Sequence, residues 1–594
     1  MNLHTFHIPV MGIGFTIDTP IKVASYGISS VISLVDDCLI EKIREFYCKK
    51  MTIPFISIDA NEDDSRAKRI TSYLNLVNRI VEKNFKALKA SPFNKGSEII
   101  KYLEMLPEYS KLRQVYNEML QTKDSEAVNK MQTWLKENLA VGSIDVNIMT
   151  KVDKKNHKGG ELLSSDYNDA HAALRGFALS DLDSSIVLSA GINTSLYSHM
   201  ASFNDFYPDK NGFLKKKIIL KVSDFRSAVT QGKFLAKKGL WVSEYRIESG
   251  LNCGGHAFPT QGHLLGPILE KFKKDKEKLV STTHSMLVKA LKHKNKPFSE
   301  TPLNFKITIQ GGITTNKEHD FLLNYYNLDS TGWGTPFLLV PEVTNVDKTT
   351  LELLCHASED DLYLSNISPL GVPFNTIRNN TKDKEKQVLI EQGRPGSVCP
   401  KKFLVNNTEF TKHAICTASS QYQRQKIKEL KKQFSDQNEY QKNVNRIVEK
   451  SCICVGLGTS ALLVKKIDTK LEGKGVSICP GPIMAYFSRI VSLKEMIDHI
   501  YGRINLVNEN NRPHMFIKEL ELYMDYLKKA ISETLNPLQT KEIKYFESFR
   551  SNLQEGINYY KNFFSTVIEE SKNVKDKFIA ELESLDKQLS GIHL

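Results

Sequence analysis

The stretch FKITIQGGITTNKEHDFLLNYYNLDSTGWGTPFLLV, residues 305–340, holds two short apolar runs with a helical pattern between them, and glycines follow each run. An apolar run of strand length, a glycine turn, an amphipathic helix and a second run make a strand–helix–strand unit. Such a unit belongs to a parallel sheet with crossover helices. The alternation continues upstream. LWVSEYRI (240–247), KKIILKVS (216–223), SSIVLSAG (184–191) and SIDVNIM (143–149) read as strands, separated by helical patterns such as FRSAVTQGKFLAKKG. Near the N-terminus, IPVMGIG reads as a strand ending in glycines, TPIKVASYG as a helix closed by Gly27, and ISSVISL as another strand. The count of eight predicts an α/β fold, a TIM (β/α)8 barrel.

A chain of 594 residues exceeds a single small core. Residues 1–60 and 140–345 are assigned to the barrel. Residues 61–139 are rich in Lys, Glu, Leu and Asn, and RITSYLNLVNRIVEKNF carries apolar residues at helical spacing, so this part reads as a helical insertion. Residues 346–490 read as irregular, with Asn, Pro and Gly loops, and five of the nine cysteines lie between Cys399 and Cys479. Residues 491–594 read as an α-helical C-terminal region, expected to pack on the barrel or on a partner subunit.

The composition, 41% hydrophobic and 25% charged, excludes bulk disorder and collagen-like repetition. Net charge is +13, with lysine-rich runs at 271–278, 289–296 and 426–432. A basic surface can attract nucleic acid, acidic lipid or an acidic carrier protein. Lysines spread over helical stretches read as solvated faces, and nucleic acid is not expected as a partner. The first residues lack a basic segment followed by a long apolar stretch, so no secretory signal is expected. No apolar run reaches the length of a membrane span. The cysteines do not form a small disulfide framework, and a cytoplasmic location is expected.

In a parallel barrel, chemistry belongs at the carboxyl ends of the strands. Gly311 and Gly312 follow one strand and precede a helix, where backbone N–H groups can approach a phosphate; a simple tight turn uses the same residues. Gly334 and Thr335 form a second glycine turn with a hydroxyl, and paired phosphate turns after the last two strands recur in barrels. His256 follows Gly254 and Gly255 beyond a strand end, placed to meet a ligand or to bond backbone in a loop. Asn147 is polar within an apolar strand, so its amide must find partners, in a ligand or in a strand-end turn.

Taken together these turns resemble the nitronate monooxygenase family, also called 2-nitropropane dioxygenase-like, and its relatives among FMN-dependent enoyl reductases. IPVMGIGFTIDTPIKVASYGISSVISL looks like the family's opening segment, DVNIM its Asn-containing strand, ESGLNCGGHAF its Gly-Gly-His, and QGGITT with GWGTPFLLVPE its phosphate pair. The resemblance covers roughly residues 7–60 and 140–345. It implies FMN at Gly311, Gly312, Gly334 and Thr335, with Asn147 and the Met11-Gly12 turn near the ring and Gly254-Gly255 beside them. It implies His256 as the catalytic or substrate-orienting histidine. The chain departs from the family in its helical insertion, in Asn252 near the family's acidic position with Glu248 close by, in Trp333 within the second phosphate turn, and in everything beyond about residue 350. The expected function is that of an FMN-dependent oxidoreductase acting on a small organic or acyl substrate. Two alternatives stand beside it. One is an enoyl reductase whose substrate rides on an acidic carrier protein. The other is a non-catalytic barrel scaffold that binds a protein or RNA partner.

Cys399, Cys416, Cys452, Cys454 and Cys479 lie in RPGSVCPKK, HAICTAS, SCICVG and SICPGP, several flanked by Pro or Gly. Thiolates so placed suit an iron–sulfur cluster or zinc, although the spacing matches no CxxC pattern and ordinary reduced thiols remain an equal reading. GLGTSALL, beginning just after Cys454, reads as a glycine turn or a helix cap.

Overall fold

The computed structural model describes residues 3–150, 152–189, 191–508, 512–534, 539–567 and 572–592. Eight parallel strands close into a barrel: β1 (Phe6–Ile8), β2 (Ser29–Ser33), β3 (Ile144–Ile148), β4 (Ser184–Leu188), β5 (Lys216–Val222), β6 (Val242–Glu248), β7 (Lys306–Gln310) and β8 (Ser330–Gly332). Each strand pairs with its sequence neighbours, and β1 closes the ring, with His7 in register with Ser29 on one side and Gly332 on the other. This is the expected TIM barrel. The strands are short and rich in Ile and Val. Val31, Val187 and Ile219, from β2, β4 and β5, form one packed cluster together with Val10.

Two strands are shorter than the apolar runs suggested. The IPVMGIG run is not a strand along its length: pairing stops at Ile8, because Pro9 has no N–H to offer the ladder. Val10 to Gly14 then turns beside the barrel mouth. Likewise STGWGTPFLLV is strand only to Gly332. Pro336 starts a 3-10 helix, Thr335–Leu339, with its fixed φ. TPIKVASYG does form a short helix and a 3-10 turn, closed by Gly27 at φ +79°.

Between β2 and β3 the chain forms helices Ser65–Ala90, Glu98–Met105, Lys111–Gln121 and Ser125–Asn138. The first buries Ile70, Tyr73, Leu74, Val77 and Val81, one face at helical spacing. Arg66 anchors it by donating to the Asp37 carboxylate and to the carbonyls of Leu34 and Val35, just after β2.

Residues 346–490 carry more regular structure than their loop-rich sequence suggested. They include helices Thr381–Glu391, Ser420–Gln433 and Ile453–Val464, and strands Leu362–Ser365 and Phe374–Ile377. Phe374 and Asn375 pair antiparallel with His256 and Gly255, so the late region joins a small sheet to the Gly-Gly-His segment. GLGTSALL is neither turn nor cap but lies inside helix Ile453–Val464. Its glycines have a packing reason. A Cβ on Gly456 would stand 2.2 Å from Ser477 Oγ, and the Gly14 N–H donates to the Leu457 carbonyl at 2.9 Å. Small residues there let the helix lie against the loop after β1.

The last helices, Leu493–Ile500, Met515–Glu533, Thr540–Thr566 and Lys572–Ser590, follow the predicted C-terminal region and pack on the barrel. Tyr326 and Tyr559 share a hydroxyl hydrogen bond, and Phe516 stacks on Tyr560 with centroids 4.9 Å apart. Among the described residues no single helix is long and apolar enough to cross a membrane.

Candidate active site at the barrel mouth

A cavity of about 280 Å³ opens at the carboxyl ends of the strands. Met11, Gly12, Asn147, Gly254, Gly255, His256, Gly311, Gly312, Gly334 and Thr335 all line it. These positions span more than three hundred residues of sequence, and the parallel register gathers them. Asn147 sits one residue from the end of β3, paired with Ser33 and Val187. Gln310 ends β7 between Glu248 of β6 and Gly332 of β8.

Gly311 and Gly312 take φ +103° and +83°, in the left-handed region that L side chains avoid. A Cβ on Gly311 would lie 2.6 Å from Cys253 Sγ, and one on Gly312 2.9 Å from Asn252 Nδ2. Neither position has room for a side chain, so backbone is all that these two lining residues present. Helix Asn316–Tyr325 follows, closed by a capping box between Thr315 and Glu318. At the second turn the Thr335 hydroxyl accepts a bond from the Gly481 N–H at 2.9 Å, which leaves its O–H to donate. Trp333 does not enter the cavity. It is 1% exposed and its indole N–H donates to Thr331 at 3.1 Å, in the core beside His319 and His499.

Two buried side-chain oxygens at this cavity, Asn147 Oδ1 and Asn252 Oδ1, have no hydrogen-bond partner within the protein. Each such atom costs about 1–3 kcal/mol unless a ligand or water satisfies it. Gln310 spends its amide N–H on Glu248, which also holds Lys221 in an ion pair at 2.8 Å. His256 Nε2 and Ser368 Oγ are 2.7 Å apart, and its ring meets Phe374 edge-on at 5.0 Å. The imidazole is thus oriented by a residue of the late region. Burial pushes the Cys253 thiol far above its ordinary range, which argues against a thiolate nucleophile there.

Sequence reasoning missed several wall residues. Lys221 is a cation inside the apolar run IILKVS at a strand end, a signal of the same kind that marked Asn147. Glu248 was noticed only as a neighbour of Asn252. Glu519 left no signal, because ELELYM reads as an ordinary amphipathic helix. Its carboxylate accepts bonds from Ser249 Oγ at 2.7 Å and from the Leu265 N–H at 2.8 Å, with the Tyr560 hydroxyl at 3.2 Å. Ser249 lines the cavity, so the C-terminal helices reach the wall through this pair.

Burial raises the Glu519 carboxyl from an ordinary 4.5 to about 7. The folded state then holds its proton more tightly than the unfolded chain. The associated stability is present below pH 4.5 and is lost as pH rises to about 7, by about 3 kcal/mol. Glu519→Gln should remove this slope. Denaturant unfolding of both proteins across that range measures it, and a wild-type-minus-variant difference that does not change with pH would refute the assignment.

Of the late cysteines, Cys454 and Cys479 line the cavity, and the Gly12 N–H bonds the Cys479 thiol. Cys452 Sγ lies 4.0 Å from Cys454 Sγ, at the start of helix Ile453–Val464.

No protein family model matches the sequence, and no curated protein matches it. Among solved structures it is similar to the enoyl reductase domain of MlnA from the macrolactin biosynthesis cluster of Bacillus amyloliquefaciens. That likeness is 14% identical in sequence, covers 69% of this chain and 87% of that chain, and has a TM-score of 0.33. At that distance nothing about activity follows from it.

Proposed function

We propose that this protein is an FMN-dependent oxidoreductase whose flavin lies in the cavity at the barrel mouth. The observation that carries the reading is convergence. Two glycine turns after β7 and β8, an Asn amide from β3 and a histidine beyond β6 share one cavity, and two of its buried oxygens lack protein partners. The residues present fit a flavin phosphate and ring. The bare backbone at Gly311 and Gly312 and the Thr335 hydroxyl would hold the phosphate. The amides of Asn147 and Gln310 offer both donors and acceptors to a ring edge or ribityl chain. FMN, when bound, supplies hydride and single-electron chemistry.

The protein's own part is binding, orientation and proton transfer. His256, held by Ser368, is the group placed to move a proton at the cavity wall or to polarise a substrate carbonyl or nitro group. Apolar side chains of Met149, Leu370, Phe374 and Leu457 line the same space and would exclude water from a small organic or acyl substrate. The resemblance to nitronate monooxygenases supports a small substrate. A carrier-bound enoyl group is the second reading, favoured by the net charge of +13, which suits an acidic carrier.

The test is the absorption spectrum of protein purified without oxygen, with the released flavin identified and counted. About one FMN per chain, with bands near about 370 and 450 nm, is the expected result. A colourless protein that cannot be reconstituted with FMN would sink the proposal.

A further inference from the structure

Three polar side chains that do not line the cavity meet beyond the carboxyl ends of two adjacent strands, β3 and β4. Asp153 lies in the loop after β3, His171 in helix Asp169–Ala178 that follows it, and Ser195 in helix Thr194–Met200 after β4. The two loops are tied where Asn193 Nδ2 donates to the Thr150 carbonyl at 3.1 Å. His171 Nδ1 stands 2.6 Å from Asp153 Oδ2, and His171 Nε2 stands 3.2 Å from Ser195 Oγ. Asp153 Oδ1 accepts the Ala170 N–H at 2.8 Å, and Asn168 Nδ2 donates to Oδ2 at 3.3 Å.

These bonds decide the tautomer. Burial alone would raise the Asp153 carboxyl, but the hydrogen bonds from His171 and Ala170 hold it below the ordinary carboxylate range. An ionised carboxylate can only accept, so His171 Nδ1 carries a proton. The neutral ring has one N–H, which leaves Nε2 with a lone pair and makes the Ser195 hydroxyl its donor. His199, one helical turn beyond Ser195, has its ring centroid 5.0 Å from that of His171. Burial and the neighbouring imidazole hold His199 below its usual range, so it sets no positive charge against the base. The His171 side chain is 2% exposed, whereas Ser195 is open to solvent. A base buried behind an exposed hydroxyl is the order that nucleophilic catalysis requires.

We propose that Ser195, His171 and Asp153 form a second catalytic site, in which Ser195 is the nucleophile for hydrolysis of short carboxylic esters. Ser195 Oγ bonds to the ester carbonyl carbon while its proton passes to His171 Nε2. The bond from that carbon to the alcohol oxygen breaks, and the leaving oxygen takes the proton from Nε2. Water then attacks the acyl-serine through the same two proton transfers, restoring the serine and releasing the carboxylic acid. Asp153 is a positioning residue, holding the imidazole in the tautomer that presents Nε2. Short acyl groups follow from the exposure of Ser195, which gives a long chain little to bury against.

The test treats the full chain with p-nitrophenyl acetate and, separately, with a fluorophosphonate whose adduct is located by peptide mass spectrometry. The expected result is about one phosphonate per chain, on Ser195. Ser195→Ala should lower ester cleavage about 100-fold, the lower end of what a positioned base contributes. Asp153→Asn should lower kcat by about tenfold or more with KM unchanged and the circular dichroism of the wild type. No adduct on Ser195, or ester cleavage unchanged in Ser195→Ala, would overturn the proposal. If Asp153→Asn fails to fold, the adduct and the exposed Ser195→Ala change decide alone. Neither reagent reads flavin, so this proposal and the flavin reading fail independently.

Discussion

Replacing Lys401 with methionine is expected to destabilise the protein by about 3–5 kcal/mol, the cost of leaving buried carboxylates without their cation. The Lys401 ammonium pairs with Asp36, just after β2, and with Glu472 at 3.3 Å, and all three side chains are 2% exposed or less. Glu472 keeps a second cation, Lys42, at 2.9 Å, but Asp36 has no such reserve among the described ion pairs. Asp36 also caps helix Asp37–Lys50 by accepting the Leu39 N–H at 2.9 Å, so it cannot simply turn to solvent. Adding Asp36→Asn to Lys401→Met should recover most of the loss, because asparagine caps as well as aspartate and carries no charge. Denaturant midpoints of the three proteins measure this. A Lys401→Met cost within about 0.5 kcal/mol, the size of an ordinary surface substitution, would show that the late region is not fastened to the barrel through this triad.

Gly311→Ala should weaken FMN retention by about 100- to 1,000-fold. Two costs combine. An alanine at φ +103° is strained by about 1–3 kcal/mol, and its Cβ would meet Cys253 Sγ at 2.6 Å. Relieving that contact moves the backbone, and each charge-assisted bond lost to a phosphate costs about 1.5–3 kcal/mol. A total near 3–4 kcal/mol corresponds to the stated range. Flavin content after dialysis, alongside circular dichroism to establish that the barrel is folded, is the measurement. A folded variant with unchanged FMN affinity would remove the phosphate from this turn, and with it the main support for the flavin's orientation.

Much of the barrel was legible because its signals are local. Strand-length apolar runs, helical spacing and glycine turns repeat along the chain, and each is written in a dozen neighbouring residues. The candidate site was legible for the same reason. A residue that ends a strand in a parallel barrel must face the same mouth as the others, so Asn147, His256 and the two glycine turns could be grouped before any contact was known. Strand ends were less legible: apolar runs continue past Ile8 and Gly332, and Pro9 and Pro336 are what stop or redirect them. The glycines of GLGTSALL misled for a related reason. Inside a helix, glycine is permitted where another segment presses close, as Ser477 does at Gly456, and the loop glycine Gly14, whose own Cβ would meet Gly458 O at 2.9 Å, lies more than four hundred residues away.

What the sequence by itself determined was therefore the barrel, the order of its strands, the helical nature of the insertion and of the C-terminus, and the kinds of residue at the mouth. Only the tertiary structure decided that the late region closes the mouth. It supplies Ser368 to His256, Gly481 to Thr335 and Lys401 to Asp36, the C-terminal helices supply Glu519 to Ser249, and Trp333 turns into the core. The physical reason is separation along the chain. Ser249 and Glu519 stand 270 residues apart, and a single bond across that distance leaves no period and no composition to read. Such contacts exist because burial strips polar groups of water and makes each find whichever partner the packed fold brings near.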